Sequence, residues 1–260
     1  LDADTREAAR AMVEYEADRF LHYRVPYWNG RGGDSKAEEN AWNAKLLQVA
    51  VAMMPDHPNA YGWRRIASEL MVSAFSTKKD RESAEVLDGR PVWKWLNGYN
   101  VREDGVVINH NRAHPDYMCA VKLNLFSFPV QSLAGQIVSE TADFNADLIY
   151  RTLVEEKLGK EDRTIYQPGK PELYYPEGTD WSPLRFDNYY THDVHAHLLG
   201  LDQGLSHSAA SWMRIRARKI LEMQSRRPDG RMFVGNEFSK GKTKEGDAFA
   251  RFAYAYLHFW

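Results

Sequence analysis

Apolar residues recur along most of this chain at a spacing of three and four, and the runs that carry this spacing predict eight helices. The first covers residues 4 to 22, with Ala8, Met12, Tyr15 and Phe20 on its period, and Pro26 closes it. Asp34 or Ser35 can cap the second, which runs through Glu38, Asn40 and Trp42 to Met54, where Pro55 stops it. A brief turn leads to the third, residues 60 to 76. The fourth starts near His114-Pro115 and runs to about Ala134, with a kink expected at Pro129, and Ser139 is expected to cap the fifth through Leu153. The sixth covers roughly 184 to 200, the seventh 207 to 226 and the eighth 245 to 260.

The connections alternate in length. Short turns join helices two and three, four and five, and six and seven, whereas long segments join the pairs. Ser76 to Ala113 is far longer than an ordinary connection and carries the turn signals Asp88-Gly89, Asn97-Gly98 and Asp104-Gly105, the last expected at the tip of a small hairpin within Tyr99 to Ile108. Repeated antiparallel hairpins wrap into a toroid. The expected fold is therefore all-α, an incomplete (α/α) toroid formed by residues 1–260 as a single domain, with the long loops gathered on one face. That rim lies beside the N-termini of helices two, four, six and eight, whose free N–H groups suit an anionic or highly hydroxylated ligand.

Composition narrows the class. A net charge of −2 argues against a nucleic-acid partner, since phosphate binding calls for a basic surplus. No apolar run approaches the ~20 residues of a membrane span. The single cysteine, Cys119, excludes an internal disulfide framework and is expected to be an inert core thiol. Leu1 stands inside helical sequence with neither an initiator Met nor a signal peptide, which leaves the compartment open, a secreted or periplasmic location included.

Two segments concentrate chemistry. Before helix four, Asn109-His110 offers an amide to hydrogen-bond a carboxyl group and an imidazole that works as a general base near neutral pH, followed by His114, Asp116 and Tyr117. Helix six opens with Arg185, whose planar fork binds a carboxylate through two parallel bonds, and continues with Tyr189 and Tyr190. His192 and His195 share a face but His197 points away, so a three-histidine metal site on this helix is not expected, and Asp193 is expected to pair with His197. Trp28, Trp42, Trp93, Trp95 and Trp181 fall near the rim and can stack on sugar rings, whereas Trp63 and Trp212 are expected to pack. Asn40 starts helix two on the same rim.

An Asn-His pair before one inner helix, an Arg followed by Tyr at the start of the next, and an aromatic rim resemble the α/α toroid polysaccharide lyases, especially the alginate-lyase-like and heparinase-like groups. The resemblance implies cleavage of a uronate-containing oligo- or polysaccharide by β-elimination, without metal or cofactor. It assigns Asn109 and His110 to neutralising the carboxyl group, Arg185 to holding it and Tyr190 to proton transfer, with Tyr189 or Tyr117 as substitutes. Asn40, Trp42, His114, Tyr117, Trp181 and Tyr189 are the expected substrate-binding residues. The alternatives are a glycoside hydrolase using two carboxylates among Asp116, Asp180, Asp187 and Asp193, and a noncatalytic glycan-binding domain.

Overall fold

The computed structural model describes residues 2–235, 237 and 241–259, without the side chains of 241–243. The described chain is mostly helical: α1 (Ala3–Asp18), α2 (Ala37–Met53), α3 (Ala60–Ala74), α4 (Val92–Trp95), α5 (Pro115–Met118), α6 (Lys122–Leu125), α7 (Ser127–Leu133), α8 (Ala146–Glu155), α9 (Phe186–Leu199), α10 (Ala209–Ser225) and α11 (Gly241–His258). Among the described residues β-structure is confined to two-residue strands and the isolated Tyr166–Leu173 bridge. No described helix is long and apolar enough to cross a membrane. The chain divides into two compact units, one of residues 1–111 and 123–145, the other of residues 112–122 and 146–260.

In the first unit, α2 and α3 pack on each other, as their apolar spacing predicts. The buried stripe of α2 is rich in alanine (Ala37, Ala41, Ala44 and Ala50), and side chains this small let the two backbones approach closely. Across it, α3 contributes Trp63, Ile66, Leu70 and Met71 to the same core. The helix α1 joins this core through Ala17 and Val13, with Phe20 and Leu21 just beyond it, while Met12 and Tyr15 of the expected apolar face stay exposed. Asp18 closes the arrangement by accepting hydrogen bonds from the Trp63 indole and the Asn59 amide, each at 2.9 Å.

The long connection after α3 is structured by buried amides. Asn100 accepts from the backbone N–H groups of Trp28 and Lys36 and donates to the Ser73 carbonyl at 2.8 Å. Its hairpin lies not in 99–108 but at β1 (Val86–Leu87) and β2 (Arg90–Pro91), joined by Asp88 and Gly89, both at positive φ as a type I′ turn requires. Around Asp104-Gly105 there is only a turn, closed by Arg102 N–H to the Val106 carbonyl.

The expected fourth helix is interrupted. Pro129 cannot donate to the Leu125 carbonyl, so α6 ends at Leu125 and α7 restarts with Pro129 in its first turn, where no N–H is needed. The break therefore falls at Phe126 rather than as a kink at Pro129. Nor does Ser139 cap α8: its hydroxyl is drawn to Asp88 at 2.5 Å, and α8 starts only at Ala146 after the left-handed Asn145.

In the second unit, α9 packs against α10 and α11. Ser208 caps α10 by accepting from Ser211 N–H, and Gly200 ends α9 in the left-handed conformation. Beside an apolar cluster around Phe186, Ile220 and Met223, part of the interior is polar. Asp193, fully buried, pairs with the equally buried Arg216 and accepts hydrogen bonds from the hydroxyls of Tyr150 and Tyr166 at 3.1 and 3.0 Å. This corrects the expected pairing with His197, because the guanidinium of α10 reaches Asp193 first. The predicted packing of Trp63 and Trp212 holds, both being fully buried.

Breaking one partner of a buried ion pair leaves the other charge stranded. Arg216→Met is expected to destabilise the fold by about 3–5 kcal/mol, measured by chemical denaturation, and Arg216→Met with Asp193→Leu to recover most of that loss. A cost below about 1 kcal/mol for the single variant would show that Asp193 is not held by Arg216.

Candidate functional site

Asn109, His110, Asn40 and Trp42 belong to the first unit, and His114, Tyr117, Trp181, Arg185, Tyr189 and Tyr190 to the second. In the first unit, Asn109 is buried and its side-chain oxygen accepts the His110 backbone N–H, which also donates to Asp34 at 2.7 Å. His110 and Asn111 both sit at positive φ, so this stretch is a tight turn that Asn109 caps from within. Asn40 is fully buried and donates to the Pro26 carbonyl and the Ser73 hydroxyl, which makes it an internal strut of α2. Trp42 is half exposed, its indole N–H on Glu38 and Lys45 over its ring.

The second unit gathers the denser set. Asp116, in α5, is buried and is approached by Arg185 at 3.4 Å and by the donating hydroxyl of Tyr189 at 3.1 Å. Four residues apart along the start of α9, Arg185 and Tyr189 fall on one helical face, which is why both reach the same carboxylate. His114 stands on the other side of Asp116, with Nδ1 3.9 Å from that carboxylate and Nε2 3.2 Å from Asp180. Tyr117 packs edge-on to the His114 ring. The Pro-rich segment before α9 supplies Asp180 and Trp181, and the Arg185 guanidinium lies 5.2 Å from the Trp181 ring centroid.

Burial sorts these groups into two layers. Asp180, Trp181 and a small part of Arg185 reach solvent, whereas His114, Asp116 and Tyr189 are enclosed behind them. Burial works against the Arg185 charge, but Asp116 and Tyr189 beside it more than restore it, so the guanidinium stays charged. Burial first and Asp116 second hold the Tyr189 phenol well above its ordinary value, and the same two causes act on Tyr175. Both phenols keep their protons at neutral pH.

Tyr190 lies elsewhere. A fifth residue along from Arg185 is turned well off that face, and its ring packs against Phe252 in the apolar cluster of Phe186, Ile220 and Met223. Three further residues lie near the site, of which only Asp187 was a candidate from the sequence, as a carboxylate for hydrolysis. Lys122 donates to Asn188 and lies 3.6 Å from the buried Cys119 thiol, with burial as the main cause pulling its ammonium down to about 8. Asp187 is buried against Arg251. Tyr175 enters from the Pro-rich loop, and loop aromatics of this kind show no period to read.

Farther along α9 lie two buried histidines held neutral. His195 contacts the His258 ring, Nδ1 to Nδ1 at 2.5 Å, and burial, then His258 and Lys122, pull it down to about 3. Burial also drives His192 well below its ordinary value.

No family model matches this chain, and neither a curated protein nor a solved structure matches it.

Unfolded His195 binds a proton below its ordinary value near 6.5 while the folded form stays neutral down to about 3, so stability is full above 6.5 and drains away as pH falls. The loss is expected at about 1.4 kcal/mol per pH unit in that window, and His195→Gln is expected to flatten the wild-type profile by that slope in urea denaturation. Identical slopes for the two proteins between pH 6 and 4 would show that His195 is not held neutral.

Proposed function

We propose that this chain is a carbohydrate-active enzyme of the polysaccharide-lyase type, acting on an acidic glycan, with the expected α/α toroid as part of the same reading. The observation that supports it is the Arg185 guanidinium set between a buried carboxylate, Asp116, and a partly open indole, Trp181. A guanidinium fixed in this way keeps N–H donors for an incoming carboxylate and loses little entropy on binding it. The indole offers a face to the C–H side of the same sugar. Asn109 and His110, which belong to the other unit and form a tight turn there, are assigned no part in this reading.

In β-elimination a base removes the proton next to the uronate carboxyl group, the bond to the leaving oxygen breaks, and an acid protonates that oxygen. The pair Asp180 and His114 is suited to the first task, since the half-exposed Asp180 meets the ligand side and the imidazole behind it shares the proton. Tyr189, already given to Asp116, positions that carboxylate and through it Arg185. Tyr190, the acid–base residue suggested by sequence, is packed toward Phe252. The hydrolase alternative finds less support, because Asp116, Asp187 and Asp193 are each buried against an arginine.

Incubation with uronate polymers is expected to generate the ultraviolet absorbance of an unsaturated uronide. New reducing ends without that absorbance would mean hydrolysis, and neither product with retained binding would mean a glycan-binding domain. Asp180→Asn is expected to lower kcat by about 10²–10⁴, and Arg185→Lys to raise KM through loss of the two-pronged contact. Tyr190→Phe separates the two proton-transfer assignments: full turnover leaves the step with Asp180 and His114, whereas abolished turnover returns it to Tyr190.

A further inference from the structure

The first unit contains a cavity of about 470 Å³ between α2, α3, α4 and the segment following α7, within the size range of small-ligand sites. Its wall is largely apolar, formed by Val51, Tyr61, Trp95, Ile137 and Val138. Tyr61 and Ile137 are 78% and 96% exposed, so the apolar lining continues to the mouth instead of being closed over by the chain.

The polar groups in this wall are almost all spent on one another. Gln131 donates to the side-chain oxygen of Gln48 at 2.8 Å. Asp88, the one carboxylate of the lining, accepts from the hydroxyls of Ser68 and Ser139 and from the Glu140 backbone N–H. Of the two cations, Arg65 stands 3.7 Å from Glu69. Arg64 is exposed and has no hydrogen-bonding or carboxylate partner among the described residues. An apolar hollow whose acid is held among hydroxyls and a backbone N–H, and whose rim carries the Arg64 guanidinium, is complementary to a ligand with an apolar body and one negative charge directed at that guanidinium.

We propose that this cavity is a binding site for a small amphipathic carboxylate, its ring or chain against Val51, Trp95 and Val138 and its carboxylate on Arg64. The site lies wholly in the first unit, uses none of the residues assigned to glycan cleavage, and stands whether or not that activity is found.

The test is calorimetric titration of the full chain with naphthoate and with its uncharged counterpart naphthamide. Naphthoate is expected to bind saturably at one site and more tightly than naphthamide. Arg64→Ala is expected to weaken naphthoate roughly fivefold, leaving naphthamide unchanged, and Arg64→Lys to restore part of the difference. Because Arg64 is exposed, these variants keep the wild-type Tm, which confirms that a lost affinity is not a lost fold. Val138→Trp, which fills the hollow, is expected to abolish both interactions, with its folding checked in the same melt. Equal affinity for the acid and the amide, indifference of naphthoate to Arg64→Ala, or no saturable binding would overturn the proposal. So would concentration-dependent self-association that is blocked by Val138→Trp, because a second copy would then be the occupant.

Discussion

A carboxylate carried into a protein interior must find its counter-charge and its donors there, and in the second unit Asp116 finds them in Arg185 and Tyr189. That single requirement places the start of α9 against α5 and turns the guanidinium so that it lies over Trp181. It also fixes His114, whose two ring nitrogens face Asp116 on one side and Asp180 on the other. The candidate site is thus assembled by charge balance rather than by apolar packing.

A second buried carboxylate repeats the logic on the same helix. Asp193 is satisfied by Arg216 of α10 and by two tyrosine hydroxyls, and this ties α8, α9 and α10 together around a polar centre. The two centres differ in what remains open. Arg216 is enclosed by aromatic rings and has no path to a ligand, whereas Arg185 keeps part of its side chain at the surface. Stability is the role of the first; ligand recognition is available only to the second.

Helix existence was largely legible in the sequence, because the apolar spacing of α2, α3 and α10 reports the faces they bury. Long-range polar contacts were not. Asn100 organises the long connection by bonding to Trp28, Lys36 and Ser73, none of which is near it in sequence, and Ser139 gives up a helix cap for Asp88. Within the candidate site, Arg185, Tyr189, His114 and Trp181 were visible as residue types suited to an acidic sugar, and helical phase explains why Tyr189 rather than its neighbour Tyr190 shares the Arg185 face. Asp193 shows the opposite case: the local partner four residues away, His197, loses to a guanidinium on another helix. Asn40 and Asn109 were polar residues at promising positions whose amides the backbone nevertheless consumes.

On the proposed reading, Arg185, held by Asp116, is a preorganised receptor for a sugar carboxylate. That role is tested most directly by following the Arg185 guanidinium Nε–H resonance during titration with a uronate oligosaccharide and with the same oligosaccharide after its carboxyl groups are reduced to alcohols. The resonance is expected to be protected from exchange in the free protein, lost on Asp116→Asn, and shifted by the acidic oligosaccharide alone. A resonance that exchanges freely, or that responds equally to the two sugars, would contradict it.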